Sequence, residues 1–297
     1  MKLLKMLVFL LISFIGMDYG VGALLHTLST KSQIRFSKLY YGTNNADLVI
    51  LGNSRAVNSF YAPYLESTYK LKTLNLAYNG LSMPIIKVLL DDYLKSNMAP
   101  RYVAIEVTSL ESSYKVLPNL KQYMIDSPSI KGLVRTHYPD IYNASLLSRA
   151  FIYNSEYFLR TLYYLRKSDQ SWINRYAITK ELYEQLSTSS HKIALFDKLD
   201  EDSITALNEI IHVCDAYNIE VILILAPVID KVRDKVVINN YIARIENSTG
   251  LEVVNLSGAI NDIDMFADSI HTNEKGARFL ADIMRDRGLF LDENTSL

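Results

Sequence analysis

The stretch "DLVILGNSRAVNSF", residues 47 to 60, sets an apolar run, Leu48 to Leu51, directly against Gly52, Asn53, Ser54 and Arg55. The run has no polar alternation, as expected of a strand covered on both faces of a parallel sheet. A glycine at its end permits a sharp turn, and a serine comes two residues later. Two readings are open. Ser54 is a turn residue, or it is a nucleophile presented at the carboxyl end of a strand, where open α/β sheets bind their ligands.

Four further short, β-branched runs follow, at residues 72–76, 102–107, 220–225 and 251–256. Helical patterns fall between and after them. "SMPIIKVLLDDYLKSN" places Ile85, Ile86, Leu89, Leu90, Tyr93 and Leu94 on one stripe. "DEDSITALNEIIHVCDAYN" does so with Ile204, Leu207, Ile210, Ile211 and Cys214, behind an acidic start that suits the helix dipole. "NEKGARFLADIMRDRG" is a third helix, stopped at Gly288. Strands alternating with helices predict an α/β fold, an open parallel five-stranded sheet flanked by helices in three layers. Residues 110–199 break the rhythm with Pro118, Pro128, Pro139 and mostly helical patterns. They are expected to form an insertion on one edge of the sheet, suited to a lid. The Tyr163–Tyr164 pair inside it reads as core rather than as a stacking platform.

The chain has 297 residues with a formal net charge of −1, and its Lys and Arg are scattered among Asp and Glu. The concentrated positive face that nucleic acid requires is missing. Cys214 is the single cysteine, so no internal disulfide can form. No HxxxH, HExxH or paired-cysteine spacing indicates a metal, and no glycine-rich loop indicates a phosphate cofactor. Neither metal nor cofactor is expected.

The N-terminus opens with Lys2 and Lys5, continues without a charge from Met6 to Met17, meets Asp18, and resumes apolar character to Leu25. That length approaches the roughly 20 residues that span a bilayer. A cleaved signal peptide, with Val21 and Ala23 before the cut, and a buried core helix are the competing readings. The resumption after Asp18 favours an uncleaved anchor over residues 1–28. Residues 29–46 would be a linker or a short helix leading into the main domain, 47–297, which is expected outside the cytoplasm because short basic N-termini usually stay in.

A serine hydroxyl becomes a nucleophile when a histidine takes its proton and an acid orients that histidine. Among five histidines, His26 lies in the apolar segment, His137 and His191 in the insertion, and His212 within a helix. His271 differs. It precedes a helix in "DSIHTNEKGA", with Asp268 three residues upstream, a spacing that lets a short carboxylate reach the Nδ1 side of the ring.

With those residues assembled, the chain resembles the SGNH (GDSL-like) hydrolases, and more closely their membrane-anchored branch associated with bacterial surface polysaccharides. "GNSR", residues 52–55, resembles the first block of that family, and "NLAYNG", residues 75–80, the second. "ILILAPV", residues 222–228, resembles the fourth strand, and "DSIHTNEKGA", residues 268–277, the last block. The resemblance covers about residues 47–109 and 219–288. It implies a Ser54–His271–Asp268 triad and an oxyanion hole from the backbone N–H groups of Ser54 and Gly80. It also implies esterase or O-acyltransferase action on acyl, chiefly acetyl, esters of a cell-surface glycan. A membrane acyl-transfer protein would be the partner in the transfer case. Asn53, Arg55, Asn79 and Thr108 are the further candidates for substrate contact, with the alternatives that Arg55 pairs with an acid of the domain and that Asn53 and Asn79 are turn residues.

One block departs from the family. Where an Asn usually enters the oxyanion hole, this chain reads "IEVTSLE" after its third strand, leaving Thr108 or Ser109 as hydroxyl donors, or the backbone N–H groups alone. A missing donor costs roughly 10²–10³ in rate. An inactive glycan-binding or scaffold protein is therefore one alternative. A lipase or thioesterase with an acyl channel in the insertion is another.

Overall fold

The computed structural model describes residues 1–42, 45–108, 110–188, 195–196 and 199–291. The chain forms two compact units. One comprises residues 42–113 with 170–297, and the other residues 1–41 with 114–169.

The larger unit holds a five-stranded sheet, β1 (Leu48–Leu51), β2 (Thr73–Asn75), β3 (Tyr102–Glu106), β4 (Glu220–Leu225) and β5 (Val253–Asn255). The order is β2-β1-β3-β4-β5 and every pair is parallel. The expected sheet is therefore present, with each strand inside its apolar run. All four residues of β1 are buried, because a strand with neighbours on both sides and helices on both faces has no wet edge. β2 lies on one side of β1 and β3 on the other, so the strand order reverses at β1 and opens a crevice at its carboxyl end.

Among the described residues, helices flanking the sheet include α1 (Ser54–Ser59), α2 (Ala62–Tyr69), α3 (Met83–Ser96), α4 (Glu201–Ala216), α5 (Lys235–Thr249) and α6 (Glu274–Asp286). On one face Ala56, Val57 and Leu65 of α1 and α2, with Leu280, Ala281 and Met284 of α6, pack against Leu48, Ile50, Ala104 and Ile224. Alternation along the strand turns Val49 and Leu51 to the opposite face. α3 packs on α4, and α4 on α5. The predicted stripe of α3 is buried at Ile85, Ile86, Leu89, Leu90 and Tyr93. In α4, Leu207, Ile210 and Cys214 are buried, while Ile204 and Ile211 are only half-buried. α5 has no counterpart among the helices expected from the sequence. It starts at Asp234, whose carboxylate accepts from the Val236 and Val237 N–H groups, and it buries Ile238, Tyr241, Ile242 and Ile245.

In the smaller unit, the helix Lys2–Lys31 is long and apolar enough to cross a membrane by length and composition. Residues 1–17 are exposed throughout, whereas Gly22 and Ser29 are buried. Residues 35–40 form a further helix that buries Phe36 and Leu39, and Arg35 Nε donates to Asp169 at 2.7 Å. Tyr163 is exposed and carries Lys167 over its ring at 3.8 Å, so its expected place in the core does not hold.

Asp200 fixes the start of α4. Its Oδ1 accepts from the Ser203 N–H at 2.7 Å and from Ser112 Oγ at 2.9 Å, and its Oδ2 from the Ser112 N–H. Burial pushes this carboxyl up, but the bonds from Ser112 and Ser203 outweigh burial and hold it below the ordinary value. A carboxyl lowered on folding stabilises fully above the ordinary carboxylate range and loses that contribution as pH falls through the lowered value. Asp200→Ala should cost about 1–2 kcal/mol in denaturant unfolding at neutral pH. The gap from the parent should shrink on acidification.

Candidate active site

The turn after β1 is built by sterics and caps. Gly52 has φ +145°, and a Cβ there would sit 2.7 Å from the Ala56 Cβ and 3.0 Å from the Glu106 Cβ, so only glycine fits. Asn53 caps α1, its Oδ1 accepting from the Arg55 N–H at 2.9 Å while its Nδ2 donates to the Thr108 carbonyl at 3.2 Å. Ser54 is the first residue of α1 and is half-buried.

The second element is the loop before α6. Asp268 Oδ1 accepts from the N–H groups of Ile270 and His271, both at 2.9 Å, and the Ala267 N–H donates to the His271 carbonyl at 2.8 Å. This tight turn aims the imidazole. Its Nδ1 lies 2.9 Å from Asp268 Oδ2, and its Nε2 lies 2.8 Å from Ser54 Oγ. Thr272 holds the loop to α1, donating from Oγ1 to the Asn58 carbonyl at 2.7 Å. Asn273 caps α6 by accepting from the Gly276 N–H. Burial raises the Asp268 carboxyl, but the bonds from the His271 ring and the two N–H groups hold it below the ordinary range, so it is ionised at neutral pH.

A serine, an imidazole and a carboxylate, 217 residues apart in sequence at their extremes, thus form one hydrogen-bonded chain. Such a chain can move a proton from the hydroxyl to the ring and stabilise the charge that results. Gly80 stands at the third position of a turn closed by the Leu81 N–H on the Tyr78 carbonyl at 3.1 Å. Its φ of +78° is that of a type II turn, and both Asn79 and Gly80 are exposed.

Arg55 and Thr108 are buried and bonded to protein groups. Arg55 is 1% exposed, and its Nε donates to Glu106 Oε1 at 3.3 Å and to Thr108 Oγ1 at 3.1 Å. One terminal nitrogen donates to the Ala226 and Pro227 carbonyls at 2.6 and 3.0 Å, and the other to the Ile270 carbonyl. The Thr108 hydroxyl donates to Glu106 Oε1 and is buried, so it is not the replacement oxyanion donor. Ser109 and His191 lie outside the described residues. Sequence reasoning missed Glu106, although a carboxylate inside the otherwise apolar run 102–107 was a visible signal of a buried partner. Among the described residues no group of His, Cys, Asp and Glu could hold a metal ion.

Arg55 joins the ends of β1, β3 and β4 to the loop that carries His271. Removing one member of a buried ion pair costs about 3–5 kcal/mol, because the other charge is left uncompensated. Arg55→Met should lose that much in denaturant unfolding. Adding Glu106→Leu should restore part of the loss and no more, since the carbonyls of Ala226, Pro227 and Ile270 remain without their donor.

No known family profile matches the chain, and no curated protein matches it. Solved structures do. A candidate acylhydrolase from Bacteroides fragilis NCTC 9343 aligns at 10% identity and TM-score 0.39, over 81% of this chain and 85% of that one. A candidate platelet activating factor from Streptococcus pneumoniae aligns at 11% identity and TM-score 0.42, over 95% and 98%. An acetyl xylan esterase aligns at 13% identity and TM-score 0.40, over 81% and 98%.

Proposed function

We propose that the chain is a membrane-anchored serine esterase or O-acyltransferase, working on acyl esters of a cell-surface glycan outside the cytoplasm. One observation carries the catalytic part: the 2.8 Å contact from His271 Nε2 to Ser54 Oγ, backed by the 2.9 Å contact from Nδ1 to Asp268. Ser54 Oγ attacks the ester carbonyl as its proton passes to Nε2. Asp268 keeps the Nδ1–H tautomer and stabilises the imidazolium. The oxyanion is met by the backbone N–H groups of Ser54 and Gly80. His271 returns the proton to the leaving alcohol as the carbon–oxygen bond breaks, which leaves an acyl-Ser54. Water then releases the acyl group, or a sugar hydroxyl accepts it. The glycan and the acetyl group rest on the resemblance of "GNSR" and "NLAYNG" behind an apolar N-terminal helix.

The engagement of Thr108 with Glu106 favours a second reading, a glycan-binding or scaffold protein with a weak or silent triad. Steady-state turnover of acetyl and long-chain nitrophenyl esters by the full chain separates the readings. Under the esterase reading the acetyl ester is preferred. Ser54→Ala and His271→Ala should each reduce kcat/KM by at least 10³-fold, and Asp268→Asn by about 10⁴-fold through the wrong tautomer. A preference for long chains would instead mark a lipase or thioesterase. Turnover that all three variants leave unchanged would remove the triad from the chemistry.

A further inference from the structure

We propose that the segment around Leu146 and Leu147 lies in the outer leaflet of the membrane, where the cavity beside it holds the headgroup of an anionic lipid. The inference rests on reading the helix Lys2–Lys31 as an anchor. It begins from Asp18. If Met6 to Leu25 fill a hydrocarbon layer of about 30 Å, Asp18 falls roughly 10 Å inside its outer edge. A carboxylate at such a depth needs partners. It has three, all from one segment: Ser148 Oγ at 2.6 Å, the Arg149 N–H at 2.6 Å and the Ala150 N–H at 3.2 Å. Those two N–H groups lie at the start of the helical turn Ala150–Tyr153 and would otherwise have no acceptor in lipid. The Arg149 stem also rests on Gly22, where an added Cβ would meet it at 2.9 Å.

The segment is therefore tied to the apolar helix below Val21 and Leu24, which are themselves exposed. Its own surface suits lipid. The helix Pro139–Leu147 buries no residue, and Leu146 and Leu147 are 64% and 86% exposed. Beside them opens a cavity of about 430 Å³ lined by Asp18, Tyr19, Lys131, Leu146, Leu147 and Arg149, among others. Lys131 and Arg149 make no ion pair among the described residues, and Arg149 lies over the Tyr19 ring at 5.5 Å. The Asp18 carboxylate in the same lining is already engaged by the 148–150 segment, so the two cations leave a net positive charge beside Leu146 and Leu147, which matches a lipid phosphate with its glycerol and first acyl carbons. Long basic side chains reach from apolar surroundings toward such headgroups.

Trp172 is the single tryptophan, so the depth of one introduced tryptophan can be read cleanly. The full chain carrying Trp172→Phe with Leu147→Trp is reconstituted in phosphatidylcholine–phosphatidylglycerol vesicles containing brominated lipid, and Leu11→Trp in the same background reports the anchor. The Leu147→Trp signal should be quenched at least twofold more by lipid brominated near the headgroup than at mid-chain, and Leu11→Trp the reverse. Brominated phosphatidylglycerol should quench at position 147 at least twofold more than brominated phosphatidylcholine, a preference that Lys131→Gln with Arg149→Gln removes. Quenching at 11 without quenching at 147 overturns the docking while leaving the anchor. Absence of quenching at both overturns the anchor reading, and the docking with it. Equal quenching by the two lipids overturns the anionic headgroup.

Discussion

The buried guanidinium of Arg55 is the constraint on which the site depends. The residue directly follows Ser54 on α1, yet it reaches the Glu106 carboxylate on β3, two carbonyls after β4 and the carbonyl just before His271. A charge cannot sit in a sheet interior without partners, so the fold must bring these four chain segments together in one arrangement. Ser54 and His271 lie one residue to either side of the two ends of that network. The 2.8 Å separation of hydroxyl and imidazole is thus a by-product of satisfying a buried cation.

Preorganisation of this kind divides the work between elements. β1 and Gly52 fix where the serine stands, Asp268 turns the loop and orients the ring, and Thr272 and Asn273 fasten that loop to α1 and α6. The side chains among them spend their hydrogen bonds inside the protein. In the other unit the same rule acts at Asp18, where a carboxylate in an apolar helix recruits the 148–150 segment.

Much of this was legible in the sequence, because it is written in short spacings. Five apolar runs located the five strands, and Asp268 with His271 three residues later specified its own turn. What stayed hidden depends on which strands become neighbours. For Arg55 the sequence leaves a ligand contact and a pairing with a domain acid equally open, and Thr108 reads as a ligand contact because it stands beside the expected site. Their partner Glu106 becomes close only when β3 pairs with β1, a juxtaposition no local pattern encodes. Residues 29–46 read as a linker or a short helix, and the helix is present at 35–40, but the inward placement of its Phe36 and Leu39 is hidden for the same reason. The helix α5 was missed although its buried residues recur at helical intervals, since its mean polarity masks a narrow stripe.

The central claim is that Ser54 is an activated nucleophile rather than a turn residue. It is tested most directly by exposing the 297-residue chain to a fluorophosphonate and locating the adduct by intact mass and peptide mapping. The account predicts one adduct per chain, on Ser54, formed at a rate that falls by orders of magnitude in His271→Ala while the fold is retained. A folded chain that takes up no label, or that labels equally well without His271, would contradict it.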